Sequence, residues 1–273
     1  TQCQGDALDT ASRVCSSGED YDFILCSGGD GTLNEVITGF MNADIKCTLG
    51  YIPSGTLNEW SSGLKISRSI VGAAKDIIDG QIIKLDIGKF GDKYFSYTAS
   101  FGAFTDASYS APQAVKNVLG QAAYFIEGVK SLGNIKSSHL KFEFDGKTIE
   151  GDFLFGAISN SMSVGGIVKF DERVVKLNDG IFEVFLIRKP DNILKLQPMI
   201  DGILKKDLTK DGFEFFHTSE ITVTGGDGLS WTLDGEFSEG KDNIQIKNLT
   251  KAILQENLSN QLDYVPYDEA KQS

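Results

Sequence analysis

Three short stretches carry side chains whose types and spacing could do chemistry. Residues 28–35 read GGDGTLNE, residues 53–58 read PSGTLN and residues 234–236 read DGE. Glycines at a strand-to-helix junction leave backbone N–H groups unpaired beside the positive end of a helix dipole, which suits a phosphate. Thr32 adds a hydroxyl, and the second stretch repeats the pattern with Thr56 and Asn58. Two such loops at adjacent strand ends can grip one nucleotide. Asp234 and Glu236 lie two residues apart, so in a strand both face one side, where they could hold a metal or accept a proton.

Each stretch has a plainer reading. Glycines make tight turns, and Pro53-Ser54-Gly55 alone favours a simple chain reversal. The chain has eight Asp-Gly pairs, most of which must be turns, and Asp234-Gly235 taken alone reads as one of them. The sequence also supplies an internal control, since residues 225–228 repeat GGDG. That copy lies between two strand candidates with no helix to supply a dipole, which predicts a hairpin turn. His139 and His217 lack metal-ligand neighbours, and there is no Gly-x-Ser-x-Gly elbow, so histidine-based nucleophilic catalysis finds little support. Trp60 and Trp231 read as packed aromatics rather than cofactor platforms.

The elements that must position these stretches can be read from period. The run YDFILCS at 21–27 is apolar and stops at glycine, as a buried strand of a parallel sheet would. Leu33, Val36, Ile37, Phe40 and Met41 then follow helical spacing, which makes 28–32 the junction. A second buried strand is predicted at 47–53. Ser67 is the predicted cap of a helix carrying Ile70, Ala74, Ile77 and Ile78, and a third strand is predicted at 81–90. This alternation describes an α/β domain over residues 1–90 with a mostly parallel sheet, whose ligands bind beyond the strands' carboxyl ends.

From about residue 91 to 255 the pattern turns to β structure, with one helix predicted at 113–132. Leu140, Phe142 and Phe144 alternate up to Asp145-Gly146, a strong hairpin signal. Further strands are predicted at 153–158, 181–187, 213–216, 221–224, 230–233 and 244–254. The expected fold is therefore α/β plus β: a parallel-sheet domain, then a mainly antiparallel sandwich. The polar tail 256–273 has no clear period.

Composition narrows the partners. In 273 residues the formal net charge is −12, which argues against a general nucleic-acid binder and against broad adhesion to an anionic bilayer. No apolar run approaches the ~20 residues of a membrane span. Cys3, Cys15, Cys26 and Cys47 lack zinc-site spacing and follow no secretory leader, so reduced thiols in a cytoplasmic protein are expected.

Taken together, the motifs resemble the diacylglycerol kinase catalytic-domain family, in particular its soluble bacterial lipid kinases, which share features with sphingosine kinases. Gly28-Gly29-Asp30-Gly31-Thr32-Leu33-Asn34-Glu35-Val36 looks like the family's nucleotide loop, and Pro53-x-Gly55-Thr56-x-Asn58 like its second loop. Leu85-Asp86-Ile87-Gly88 resembles the strand of its acidic network. Lys116, Gly120, Tyr124, Asn160, Gly165-Gly166 and Asp179-Gly180 follow in order, and Asp234-Gly235-Glu236 resembles the catalytic motif. GGDGT alone also fits the related NAD kinases; the Gly-Thr-x-Asn loop and the late Asp-Gly-Glu favour the lipid branch. Two departures stand out. The family's first strand and its Asn-Pro-x-Ser-Gly-like turn would precede Thr1, so a fragment or an incompletely represented protein is expected. Glu59-Trp60-Ser61-Ser62 replaces Asp-Phe-Ala-Arg, keeping an acid and losing an arginine.

The resemblance implies an ATP- and Mg²⁺-dependent kinase acting on a lipid hydroxyl such as that of diacylglycerol, with its active site in an interdomain cleft. It assigns Gly28, Gly29, Asp30, Gly31, Thr32, Asn34, Glu35, Gly55, Thr56 and Asn58 to nucleotide binding. Asp30, Glu59 and Asp86 are assigned to Mg²⁺, Asp234 to the general base for the lipid hydroxyl, and Glu236 to orienting that hydroxyl or the metal. Phe101, Phe104, Tyr109, Ala111 and Pro112 are candidates for an acyl path, with ordinary core as the competing reading. Transient contact with a membrane surface is implied, nucleic acid is not a partner, and a homodimer is left open. The alternatives are a kinase for a sphingoid base or NAD, or a non-catalytic nucleotide-binding regulator of the same fold.

Overall fold

The computed structural model describes residues 1–19, 21–43, 47–56, 58–102, 137–161, 163–164, 168–169, 176–191, 195, 198–199, 202 and 210–258. In chain order the elements are α1 (Asp6–Cys15), β1 (Ile24–Gly28), α2 (Asp30–Ala43), β2 (Thr48–Pro53), α3 (Glu59–Gly63), α4 (Ile70–Asp79), β3 (Gln81–Phe90), β4 (Lys93–Phe95) and β5 (Thr98–Gly102). There follow β6 (Ser138–Phe144), β7 (Lys147–Ser159), β8 (Ser163–Val164), β9 (Val168–Lys169), β10 (Phe182–Arg188) and β11 (Phe213–Thr218). The last are β12 (Glu220–Thr224), β13 (Ser230–Leu233), β14 (Glu236–Glu239) and β15 (Asn243–Leu258). Two compact units emerge. The first comprises Thr1–Ile87, Leu177–Gly180 and Leu249–Ser273; the second comprises Gly88–Lys176 and Ile181–Asn248.

The first unit is α/β. β1 pairs parallel with β2, Ile24 opposite Leu49 and Gly28 opposite Pro53, and the far end of β15 pairs parallel with β2, Leu254 opposite Thr48. α1 buries Ala7, Ala11 and Cys15 along one face, a four-residue repeat that packs against α2. Gly39 permits the approach, since a Cβ there would sit 2.7 Å from the Leu8 carbonyl oxygen. The Cys15 and Cys47 thiols lie 3.1 Å apart, and burial pushes the Cys15 and Cys26 thiols up to about 12.

Three local expectations change here. β1 is not a buried strand: its central Cys26 is buried but Leu25 is 52% exposed, because among the described residues β1 is an end strand with one paired neighbour. α2 begins at Asp30 rather than Leu33, its first turn closed by the Leu33 N–H on the Gly29 carbonyl at 3.0 Å. Ser69, not Ser67, caps α4 by accepting the Gly72 N–H at 2.9 Å, while the Ser67 N–H is taken by Asp76 at 3.0 Å. With that start, α4 turns Ala73 and Ile77 inward and leaves Ile70 and Ile78 exposed.

The second unit is an antiparallel sandwich. β7 is its backbone, flanked by β6, β5 and β10; β10 continues to β11, β6 to β12, and β5 to β13 and β14. The β6–β7 hairpin forms where Asp145-Gly146 predicted it, with φ of 46° and 72° at the two turn residues and Phe144 opposite Lys147. Leu140, Phe142 and Phe144 face the core, where the Phe101 ring lies 4.9 Å from Trp231 and Phe142 stands edge-on to Phe153 at 5.1 Å. Phe101 is thus a core residue. The helix expected at 113–132, with Phe104, Tyr109, Ala111, Pro112, Lys116, Gly120 and Tyr124, lies outside the described residues, as do Gly165 and Gly166.

The second GGDG is a turn but closes no hairpin. β12 pairs with β15 and β6, whereas β13 pairs with β14 and β5, so Gly225–Gly228 carries the chain between strands that are not partners. Gly225 and Gly228 adopt φ of 88° and 68°, and the Leu229 N–H closes the turn on the Gly226 carbonyl at 3.0 Å.

Candidate active site

Within the first unit the two glycine loops touch. A Cβ on Gly55 would sit 2.5 Å from the Gly29 Cα, and one on Gly28 would sit 2.6 Å from the Thr32 Cβ. Glycine is therefore required by close approach rather than by backbone conformation. The contact is tied by the Ser54 N–H donating to the Gly28 carbonyl at 2.9 Å, and the Tyr51 hydroxyl donates to the same oxygen at 3.1 Å. Burial above all, with the negative charge of Asp30 next, raises the Tyr51 phenol well above its usual range and keeps it a donor.

Asn58 spends its amide on shaping the second loop. Its Nδ2 donates to the Gly55 carbonyl at 2.7 Å and its Oδ1 accepts the Gly55 N–H at 3.0 Å, with Asn58 itself in the left-handed region at φ 51°. Asparagine tolerates that region better than most residues, which explains the residue type. Ser54, Gly55 and Thr56 are left exposed.

Asp30 links the loops a second time. Its carboxylate accepts the Glu59 N–H at 3.2 Å and the Trp60 N–H at 3.3 Å, capping α3 from across the site. The cap is needed because Asn58, at the N-cap position, makes no side-chain cap of its own. Trp60 is a packed aromatic as expected, 3% exposed, with its indole N–H donating to Gln255 Oε1 at 2.9 Å. Glu35 serves α1 instead of a loop, accepting the Gly5 N–H at 2.8 Å and the Ala7 N–H at 3.2 Å; Asn34 sits half-buried on α2.

Asp86 is fully buried. Its two oxygens accept the Gly180 N–H and the Lys251 N–H, each at 2.6 Å, and its own N–H donates to the Leu177 carbonyl at 2.9 Å. Desolvation raises its carboxyl above the ordinary range, partly offset by those two N–H donors. Asp86 thus joins β3, the 177–180 segment and β15 within this unit. Among the described residues no three His, Cys, Asp or Glu side chains gather as a ready metal site.

In the second unit Asp234-Gly235 is a tight turn, φ 52° and 86°, joining β13 to β14. The turn reading holds, yet Asp234 is buried in it, 5% exposed. Its carboxylate accepts three consecutive backbone N–H groups, Ser96 at 2.5 Å, Tyr97 at 2.9 Å and Thr98 at 3.0 Å, while its own N–H donates to the Thr98 carbonyl at 2.9 Å. Glu236 is exposed. Sequence reasoning missed the Ser96–Thr98 cradle of this unit and, separately, the roles of Gln255 and Lys251 in the first unit; the buried Ser96 and Thr98 hydroxyls have no partner among the described residues.

Comparison with known proteins turns this geometry into a family. A sequence profile for the diacylglycerol kinase catalytic domain matches residues 1–90. A diacylglycerol kinase of Bacillus subtilis is 31% identical over 238 residues, covering 87% of this chain and 78% of the relative. One from Staphylococcus aureus is 33% identical over 254 residues, covering 93% and 79%. The chain belongs to the diacylglycerol kinase family. A candidate diacylglycerol kinase of Bacillus anthracis, solved by crystallography, superposes with a TM-score of 0.79 at 25% identity over 96% of this chain and 84% of that one. A second crystal structure, of a diacylglycerol kinase from the same organism, shares the fold with a TM-score of 0.72 at 22% identity over 96% and 85%. As a member of this family the chain is a kinase, a phosphotransferase with an alcohol acceptor. Among the described residues no helix is long and apolar enough to cross a membrane.

Proposed function

We propose that the protein transfers the γ-phosphate of ATP, with Mg²⁺, to the hydroxyl of diacylglycerol or a similar glycerolipid. The observation that carries this reading is the mutual contact of the Gly28–Thr32 and Pro53–Asn58 loops, which presents small, exposed backbone at 54–56 beside the helix that begins at Asp30. In this reading Gly28, Gly29, Gly31, Thr32, Gly55 and Thr56 hold the phosphates through N–H and hydroxyl donors, and Asn58 keeps the second loop in shape.

Mg²⁺ retains several waters and accepts ligation through one or two carboxylates plus the phosphates. The Asp30 carboxylate, already engaged with the Glu59 and Trp60 N–H groups, fits a water-mediated role of that kind. Asp30 and Glu59 would hold the ion from the loops, and Asp86 would act by fixing β3. When bound, the ion neutralises charge that develops on the transferring group. Asp234, oriented by three N–H donors, accepts the proton of the lipid hydroxyl, and Glu236 orients the acceptor. The reaction occurs at a membrane surface that the protein meets transiently.

The test is incubation with labelled ATP and Mg²⁺ against diacylglycerol, monoacylglycerol, phosphatidylglycerol, sphingosine and NAD. Label moving to diacylglycerol supports the reading. Label moving only to NAD or sphingosine, or nucleotide binding with no transfer to any acceptor, overturns it.

A further inference from the structure

The two loops offer a phosphate chain neutral donors and no basic side chain. Their surroundings in sequence are acidic: residues 1–60 contain Arg13 and Lys46 against nine Asp and Glu. A polyphosphate drawn into such a field gains from a protein cation whose planar fork can hold two oxygens at once.

Arg68 is a cation tied to the second loop by hydrogen bonds. Its Nη2 donates to Ser62 Oγ at 3.0 Å, and that hydroxyl donates to the Asn58 carbonyl at 3.1 Å. Asn58 in turn clamps Gly55 through both ends of its amide. A chain of hydrogen bonds therefore runs from the guanidinium to the backbone of the second loop. Ser54, Gly55, Thr56, Ser62 and Arg68 are all exposed, so both the loop and the guanidinium are open to solvent. The partner of Arg68 is a neutral hydroxyl. By contrast, Arg188 is neutralised by Glu214 at 2.7 Å, whereas among the described residues no carboxylate pairs with Arg68.

We propose that Arg68 is a phosphate-binding residue of the nucleotide site, with Ser62 as the residue that positions it. One N–H is spent on Ser62, and the rest of the fork serves the β- or γ-phosphate oxygens. The proposal rests on the reading of the two loops as a nucleotide site.

The test compares ATP and adenosine binding by calorimetry for the full chain, R68A, R68K and K75A, the last removing an exposed cation on α4. Expected is a loss of about tenfold in ATP affinity for R68A, the scale of one hydrogen bond to a charged group. Adenosine affinity should be unchanged, R68K should recover part of the loss, and K75A should match wild type. ATP affinity in R68A equal to wild type overturns the proposal. So does an equal loss in K75A, which would mean a general field, or a parallel loss for adenosine, which would mean a structural defect. If the wild-type chain binds no ATP, the nucleotide reading itself fails and the proposal falls with it.

Discussion

Gly55 and Gly29 meet backbone to backbone, close enough that a Cβ on Gly55 would sit 2.5 Å from the Gly29 Cα and 2.8 Å from Asn58 Oδ1. Neither neighbour can yield cheaply, since one is main chain and the other is hydrogen-bonded to Gly55 itself.

Gly55→Ala should therefore separate the loops, costing about 1–3 kcal/mol of stability by overpacking. ATP affinity should fall with it. Gly63→Ala provides the control, because a Cβ there meets nothing within 4 Å. Thermal unfolding and ATP titration of both variants check this; equal behaviour of the two would show that the loop contact has no consequence.

Asp86→Asn should destabilise the first unit by about 1–3 kcal/mol, since an amide can accept only one of the Gly180 and Lys251 N–H groups and turns a donor toward the other. The pH dependence has a defined sign. Burial raises the folded carboxyl above its unfolded value, so in the window between the two the folded state binds more protons. Stability from this group accordingly falls as pH rises through that window. The wild-type advantage over Asp86→Asn in urea unfolding should shrink as pH rises from the ordinary carboxylate range; an advantage that grows would contradict the assignment.

Asp227→Ala, in the second GGDG, should leave ATP affinity unchanged. Asp227 is an exposed turn residue between two strands that do not pair with each other. A tenfold loss by calorimetry would reverse the choice between the two copies.

What the sequence made legible was what local spacing encodes. The period-two run at Leu140–Phe144 and its Asp-Gly turn predicted the β6–β7 hairpin, and the glycine loops were found at the ends of β1 and β2. What it hid depends on partners far along the chain. Asp86 is held by Gly180 and Lys251, 94 and 165 residues away, and Trp60 by Gln255, 195 residues away. No period announces such contacts. The α2 start was misplaced because Asp30-Gly31 reads locally as a turn, whereas the structure builds the helix's first turn through it. Asp234 shows the same limit most clearly. Local chemistry correctly gave a turn, yet only the Ser96–Thr98 backbone makes that turn a buried carboxylate site.

The central claim is that Asp234 is the base for the acceptor hydroxyl, and one measurement addresses it directly. Transfer of label from ATP to diacylglycerol is followed for wild type and Asp234→Asn, with ATP binding and thermal unfolding recorded on the same preparations. The account predicts a cooperatively folded variant that still binds ATP while transfer falls by about 100-fold or more, the scale of a lost general base. Turnover by Asp234→Asn at the wild-type rate would contradict it.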